Sequence, residues 1–189
     1  MPDDTLARLS ALHHDGRVQH MIDLGRRSLH DARARAAIDS LDRGDAFARV
    51  MALWSCYGSR DGARVHRGTR DESSRVRALA FTLVPQACDD MQALDALQMA
   101  FAMRREKALI LSMHAYGRHA ALDRYLDWVA ARPGVHDFAD YVPLGTHAGV
   151  RRHLARALEK PSQTFWQRLA RSAPDILGEI LLERMRAVK

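Results

Sequence analysis

Apolar residues recur at intervals of three and four along most of the chain, a spacing that predicts amphipathic helices. The segment after Asp45 illustrates the pattern, because one helix face would carry Phe47, Val50, Met51 and Trp54. Asp45 itself is expected to cap this helix at its N-terminus. Long alternating runs rich in Val, Ile, Thr and Tyr are absent from the sequence, so the pattern predicts an all-α fold.

Turn and cap residues divide the chain into segments that predict helix pairs. The predicted pairs are 31–43 with 45–57, 60–70 with 73–86, 89–102 with 104–116, and 118–131 with 146–158. One or two helices over 4–28 are expected before these pairs, and a further pair over 162–187 after them. We expect Pro85 to bend or end its helix, and residues 132–145, with two prolines and two glycines, to form a loop.

A short phrase, Arg-x-x-Ala, recurs early in the second helix of each pair. It stands at Arg49–Ala52, Arg77–Ala80 and Arg105–Ala108, each copy 28 residues after the last, and again at Arg152–Ala155 after 47 residues. Equal spacing indicates one structural unit stacked on itself. The small alanine would let the neighbouring helix approach closely.

The stretch from Asp71 to Ala80, with an Asp in the turn, then a Val-Arg pair and an Ala, resembles HEAT and HEAT-like repeats. The other three copies match this phrase in part. Over residues 31–158 the resemblance implies an α-α superhelix, a solenoid of about four to five helix pairs. It further implies one domain over 1–189, with residues 1–30 and 159–189 as terminal caps, and a binding scaffold whose second helices line the concave side.

Positive charge is concentrated toward the C-terminal end of the chain. The formal net charge is +6, and residues 145–189 carry four acids and nine bases. Of the 29 Lys and Arg residues only three are Lys. This distribution fits either a solvated basic surface or the attraction of an acidic or phosphate-bearing partner.

The sequence lacks the local motifs of common catalytic and cofactor sites. Neither a nucleophile elbow nor a glycine-rich phosphate loop is present. The ten His include no pair four residues apart, and Cys56 and Cys88 form no C-x-x-C motif, so both thiols are expected to be buried and free. We therefore expect a protein that is not an enzyme and that uses no cofactor and no metal.

The chain begins Met-Pro-Asp-Asp, without a basic and apolar signal segment. No apolar run approaches the ~20 residues that cross a bilayer, so we expect a cytoplasmic protein, with the nucleus as an alternative, and no membrane contact. The predicted last helix is strongly apolar at Ile176, Ile180, Leu181 and Met185. A further unit of a longer repeat array, or a second copy, could cover it.

Arginines are the candidate binding residues, because the guanidinium group binds carboxylate and phosphate through a planar fork. The residues predicted to contact a macromolecular partner are Arg105, Arg151, Arg152 and Arg156. The residues predicted to form a structural ladder between repeat turns are Arg49, Arg77 and Asp71. A further basic stripe would share one helix side by its spacing, at Arg60, Arg64 and Arg67.

Three functions remain open at this point. The first is binding of a protein partner on the second-helix surface, and the alternative is binding of nucleic acid through the Arg-rich surface. The third is a DNA glycosylase of the HEAT-like kind, whose candidate residues would be Asp123, Asp127 and Trp128. An apolar stripe that contains Leu122 and Tyr125 already packs this helix, so both carboxylates are expected on the solvent side with a structural role.

Overall fold

The computed structural model describes residues 3–132 and 137–187, and every regular element in these two ranges is helical. The α-helices are α1 (Asp3–Ala11), α2 (His14–Ser28), α3 (Ala32–Asp42), α4 (Ala46–Trp54), α5 (Cys56–Ser59), α6 (Gly62–Gly68), α7 (Ser74–Ala87), α8 (Asp90–Ala102), α9 (Glu106–Ala115), α10 (His119–Ala130), α11 (Phe138–Tyr141), α12 (His147–Ala157), α13 (Gln163–Ser172) and α14 (Pro174–Ala187). A 3₁₀ turn, Val142–Leu144, follows α11. The prediction of an all-α fold is confirmed. None of the helices in these ranges is long and apolar enough to cross a lipid bilayer.

Side-chain caps mark the starts of five of the helices. Asp45 Oδ1 accepts a hydrogen bond of 2.8 Å from the Ala48 N–H in the first turn of α4, so the predicted cap is confirmed. The residues that cap α3, α6, α12 and α13 in the same way are Asp31, Asp61, Thr146 and Ser162. Each such oxygen satisfies a backbone N–H that the first turn of a helix leaves without an intrahelical partner.

The first of two compact units runs from Met1 to Ala96. Within it α2 packs against α3, α4 and α5, while α7 packs against both α4 and α6. Fully buried apolar residues of α1, α2 and α4 meet in one core, at Leu9, Met21 and Ala52. Pro85 does not end its helix, since α7 continues two residues further to Ala87 with Pro85 buried inside it, and a bend at Pro85 stays a prediction.

The second compact unit runs from Leu97 to Lys189. Its α10 contacts α9, α11 and α12, and α13 contacts α11, the 3₁₀ turn and α14. The apolar stripe predicted for α10 is confirmed, because its four residues are at most 1 % exposed: Leu122, Tyr125, Leu126 and Val129.

The predicted helix 45–57 is interrupted at Ser55, between α4 and α5. Ser55 Oγ donates to the Ala52 carbonyl at 2.6 Å, and the Ser55 carbonyl accepts from the Gly58 N–H at 2.9 Å. The short α5 then packs on α2 so closely that a Cβ on Gly58 would stand 2.1 Å from the Ile22 carbonyl oxygen. The break therefore lies beside a close tertiary contact, which local periodicity does not encode.

The predicted loop 132–145 is helical over its second half, where α11 and the 3₁₀ turn lie. Phe138, Tyr141 and Leu144 are at most 4 % exposed. Burial of these apolar side chains overrides the turn signals of the segment. Pro133 and Gly134, on which part of the loop prediction depended, lie outside the described residues.

The alanine of the repeat phrase is a packing residue only in the first two copies. Ala52 and Ala80 are fully buried, and their helices, α4 and α7, pack against each other. Ala108 and Ala155 are exposed, so the prediction of a close helix approach at these two positions is wrong. In α9 the buried positions begin one residue later, at Leu109.

Both cysteines are buried and free, as the sequence predicts. Burial, reinforced by nearby Asp61, raises the pKa of the Cys56 thiol to about 12. Cys56 is therefore protonated at neutral pH, and it serves as a small apolar residue of the core.

Arg104 ends α8 in a left-handed conformation, with φ of 54°. Its N–H donates to the Phe101 carbonyl and the Arg105 N–H donates to the Ala100 carbonyl, at 2.9 and 2.8 Å. These two bonds form a Schellman motif, in which glycine is the favoured residue at the left-handed position. An arginine at this position carries a backbone cost that glycine does not.

Arg104→Gly is expected to raise the free energy of unfolding by about 1 kcal/mol, because glycine adopts the left-handed conformation freely. Urea unfolding of the purified chain would measure the change. Gly117 occupies the same position at the end of α9, with φ of 69°, and serves as the control. Gly117→Ala should lower the free energy of unfolding by a similar amount. A neutral or destabilising Arg104→Gly variant would contradict this account.

Candidate functional site

Arg49 joins the turn of its own helix pair to the turn of the next pair. Its Nε and Nη2 donate to the two carboxylate oxygens of Asp71 at 2.8 and 3.1 Å, and its Nη1 donates to the Gly44 carbonyl at 2.8 Å. The hydrogen bonds with Asp71 raise the pKa of Arg49. Arg77 donates to the backbone carbonyls of Asp71 and Glu72, at 2.6 and 2.7 Å, rather than to a carboxylate. The three residues of the predicted repeat ladder thus lie together around one turn.

Arg152 and His153, at neighbouring positions of α12, both contact Asp127 of α10. Arg152 Nη1 donates to both carboxylate oxygens, at 2.9 and 2.7 Å, and His153 Nε2 lies 2.8 Å from Asp127 Oδ1. Partial burial by itself would raise the pKa of Asp127, but the hydrogen bonds from Arg152 and His153 outweigh it and hold that pKa below its ordinary value.

Asp127→Asn is expected to flatten the loss of stability in acid. The folded pKa of Asp127 is depressed, so the unfolded chain binds more protons as pH falls. The ion pair therefore contributes fully above the unfolded value of about 3.9 and is lost as pH falls through the folded pKa. Urea unfolding at a series of pH values would show a shallower acid slope for Asp127→Asn than for the parent chain. Arg152→Met should flatten the slope as well, and parallel profiles for all three chains would contradict this assignment.

Arg151 and Arg156 are also engaged with their own chain. Arg151 forms a bidentate pair with Glu179 of α14, at 2.7 and 2.8 Å, which lowers the pKa of Glu179. Arg156 donates to the carbonyls of Ala130 and Arg132, and its guanidinium lies 4.7 Å from the centre of the Phe138 ring. The three arginines predicted on α12 therefore bind neighbouring helices of the second unit.

Arg105 differs from the other three predicted partner-binding arginines. Its side chain is exposed, and no hydrogen bond or ion pair joins its guanidinium to the described part of the chain. It precedes α9, whose exposed side we call the α9 face, consisting of Lys107, Ala108, Leu111 and Ala115. Leu111 is 39 % exposed on this face. The α9 face is thus an apolar surface with basic residues at its start.

The candidate glycosylase residues are engaged in packing. Asp123 accepts hydrogen bonds from the Thr146 N–H, at 2.8 Å, and from the Thr146 hydroxyl. Asp127 is exposed as expected, but Asp123 is half-buried beneath the start of α12, so its predicted solvent position is wrong. Gly149 makes this possible, because a Cβ there would lie 2.2 Å from Asp123 Oδ1. The Trp128 ring stacks with Tyr125 and lies under the Arg132 guanidinium.

No group of three His, Cys, Asp or Glu side chains that could hold a metal ion occurs in ranges 3–132 and 137–187. Two of the ten histidines lie together, since the Nδ1 atoms of His114 and His119 lie 3.1 and 2.9 Å from the Leu144 carbonyl. His136 lies outside the described residues.

The predicted stripe of Arg60, Arg64 and Arg67 does not form one surface. Arg60 precedes α6 with φ of 54°, and Arg67 is exposed and bonded to Asp42 at 3.0 Å. Arg64 is buried, with a bond of 2.6 Å to Asp39. Its acidic partner stands 25 residues away in the sequence, as do the partners of Arg67 and Arg152. An acidic residue about 25 residues before each of these arginines is the sequence signal that could have revealed these contacts.

Comparison of the chain with models of protein families, with curated proteins and with solved structures found no match.

Proposed function

We propose that the chain is a HEAT-like repeat scaffold, an α-α superhelix without enzymatic activity that binds a protein partner through its second helices. Two features support the repeat architecture. The second helices α4 and α7 pack against each other with Ala52 and Ala80 buried at equivalent positions. Arg49 ties neighbouring turns together through Asp71. Stacked units of this kind hold their shape through contacts between neighbours, which leaves one side available for a partner.

The α9 face carries the proposal of a partner, since α9 is a second helix in the predicted pairing. Its exposed positions are small or apolar, at Ala108, Leu111 and Ala115, with Lys107 on the same side. Arg105 is exposed just before the helix. A complementary segment would present apolar side chains to Leu111 and carboxylates to Arg105 and Lys107. An acidic amphipathic helix has this chemistry.

A protein partner fits the arginines better than nucleic acid does. Arg151 and Arg152 are each paired with a carboxylate of the same chain, at Glu179 and Asp127. Phosphates would have to displace these carboxylates, which reduces the gain from each contact. The glycosylase alternative is less supported still, because Thr146 contacts Asp123 directly.

The test is affinity capture from native extract with the full chain as bait, quantified for Leu111→Glu and Arg105→Glu. Both variants should reduce capture of the specific partner about tenfold or more. Leu111→Glu removes the apolar contact, Arg105→Glu removes a positive charge, and each places a carboxylate opposite an acidic partner. Leu182→Glu is the matched control, since Leu182 is 56 % exposed on α14, away from the α9 face in sequence. Capture that is unchanged in Leu111→Glu and Arg105→Glu, or absent for the parent chain, would refute the proposal.

Two added measurements distinguish the alternatives. Capture that disappears on nuclease treatment and falls steeply with salt would favour nucleic acid, and Arg151→Glu with Arg156→Glu should then weaken it. Base release from alkylated DNA that depends on Asp123 or Asp127 would favour the glycosylase.

A further inference from the structure

A cavity of about 260 Å³ lies within the first unit, where α2, α3, α5 and α6 meet. This volume is slightly below the usual range of about 300–1,000 Å³ for small-molecule sites, so only a small ligand would fit. The residues that line it are Ser28, Leu29, Arg35, Ile38, Asp39, Ser55, Ser59, Asp61 and Arg64. Two guanidinium groups and two carboxylates therefore face the cavity together with two apolar side chains and three hydroxyls.

Arg64 is the most constrained charged group of this cavity. Its side chain is 8 % exposed, and Nη2 donates to Asp39 Oδ1 at 2.6 Å. The buried Nη1 and Nε donate no hydrogen bond within the described part of the chain. Nε lies 3.4 Å from Asp61 Oδ2 and 3.7 Å from Asp42 Oδ2, which is ion-pair range without hydrogen-bond geometry. Burying N–H groups of a guanidinium without acceptors is costly, so Arg64 is suited to an acceptor inside the cavity.

The serine and aspartate oxygens of the cavity favour a ligand group that donates hydrogen bonds. The hydroxyls of Ser28, Ser55 and Ser59 each donate to a backbone carbonyl of their own helical segment. Their hydrogens are thus committed, and the oxygens offer lone pairs to the cavity. Asp39 and Asp61 each keep a carboxylate oxygen that accepts no hydrogen bond from the described residues.

We propose that this cavity binds a small zwitterion, with an α-amino acid as the ligand class. The carboxylate would bind the N–H groups of Arg64 that have no acceptor and the guanidinium of the neighbouring Arg35, whose Nη2 donates to the Ser28 carbonyl at 3.1 Å. The ammonium would bind Asp39 or Asp61 with the serine oxygens. Leu29 and Ile38 would contact a short aliphatic side chain. A simple anion satisfies the arginines but meets the carboxylates, while a simple cation leaves Arg64 unsatisfied. The two positive and two negative charges of the lining balance, as a ligand without net charge requires, and nearby Asp42 is paired with Arg67 outside the lining.

The experiment measures thermal shifts and calorimetric binding for the full chain with standard L-amino acids at millimolar concentration. Acetate, ethylammonium and inorganic phosphate are the fragment probes. At least one amino acid should raise the melting temperature, and none of the three fragments should do so comparably. Arg64→Met and Arg35→Met should each weaken binding about tenfold or more, since each removes a charge-assisted hydrogen bond.

Arg67→Met is the matched control, because Arg67 lies on the same helix but pairs with Asp42 and does not line the cavity. Arg35 is exposed, so Arg35→Met provides a folded variant even where Arg64→Met does not fold. Binding that survives Arg67→Met and is lost in Arg35→Met supports the proposal. Absence of a shift with every amino acid, an equal shift with phosphate or acetate, or full binding by Arg35→Met would each overturn it.

Discussion

Replacing Gly25 with alanine is expected to lower the free energy of unfolding by about 3 kcal/mol, at the upper end of the usual cost of overpacking. A Cβ at Gly25 would stand 1.9 Å from the Ser55 carbonyl oxygen and 2.8 Å from its carbon. Both atoms belong to the backbone, so no side-chain rotation relieves the overlap. Only separation of α2 from the segment around α5 could accommodate the methyl group, and that would open the core of the first unit.

Urea unfolding of Gly25→Ala beside two further alanine variants tests this. Gly58→Ala should behave in the same way, because its Cβ would stand 2.1 Å from the Ile22 carbonyl oxygen. Gly178→Ala is the control, since apart from the neighbouring backbone of α14 no heavy atom of the described residues lies within 4 Å of the added Cβ. Alanine should stabilise that helix by up to about 1 kcal/mol. A Gly25→Ala chain as stable as the parent would contradict the close approach of α2 and Ser55.

Helix positions were predictable because local chemistry sets them. Apolar spacing and cap residues such as Asp45 and Asp61 act over a single turn, and the sequence displays them directly. The break at Ser55 was not predictable, because it lies beside the close contact between Gly58 and α2, which local spacing does not show. The burial of residues 138–144 was likewise hidden, since a short apolar segment beside prolines is typical of a loop.

The repeat phrase predicted the burial of its alanine correctly in the first two copies and incorrectly in the other two. Ala52 and Ala80 occupy equivalent buried positions, whereas Ala108 and Ala155 match in letters but lie on exposed sides of their helices. A four-residue phrase does not determine which side of its helix is buried. The buried face of α9 is set by Leu109, Ile110 and Met113, which the phrase does not include.

The sequence alone does not show which residues of a basic cluster are paired with carboxylates and which are free to bind a partner. Arg152 is adjacent to Arg151 in the chain, yet each pairs with a different helix, at Asp127 and Glu179. Spacing alone predicts that Arg64 shares one helix side with Arg60 and Arg67, although Arg64 is buried and lines a cavity. Such contacts join residues about one helix pair apart, so they follow from packing rather than from any local pattern.

Replacing Asp123 with alanine is expected to cost about 2 kcal/mol of unfolding free energy, because it leaves the Thr146 N–H and hydroxyl without their acceptor. The Thr146 hydroxyl also caps α12 by accepting from the Gly149 N–H at 3.0 Å. Asp123→Asn keeps one carbonyl acceptor for the Thr146 N–H and should cost less than half as much. Urea unfolding of the three chains measures these differences. A carboxylate that supports packing must contribute to the free energy of unfolding. An Asp123→Ala chain with unchanged stability would therefore contradict the structural role and make Asp123 a candidate catalytic residue again.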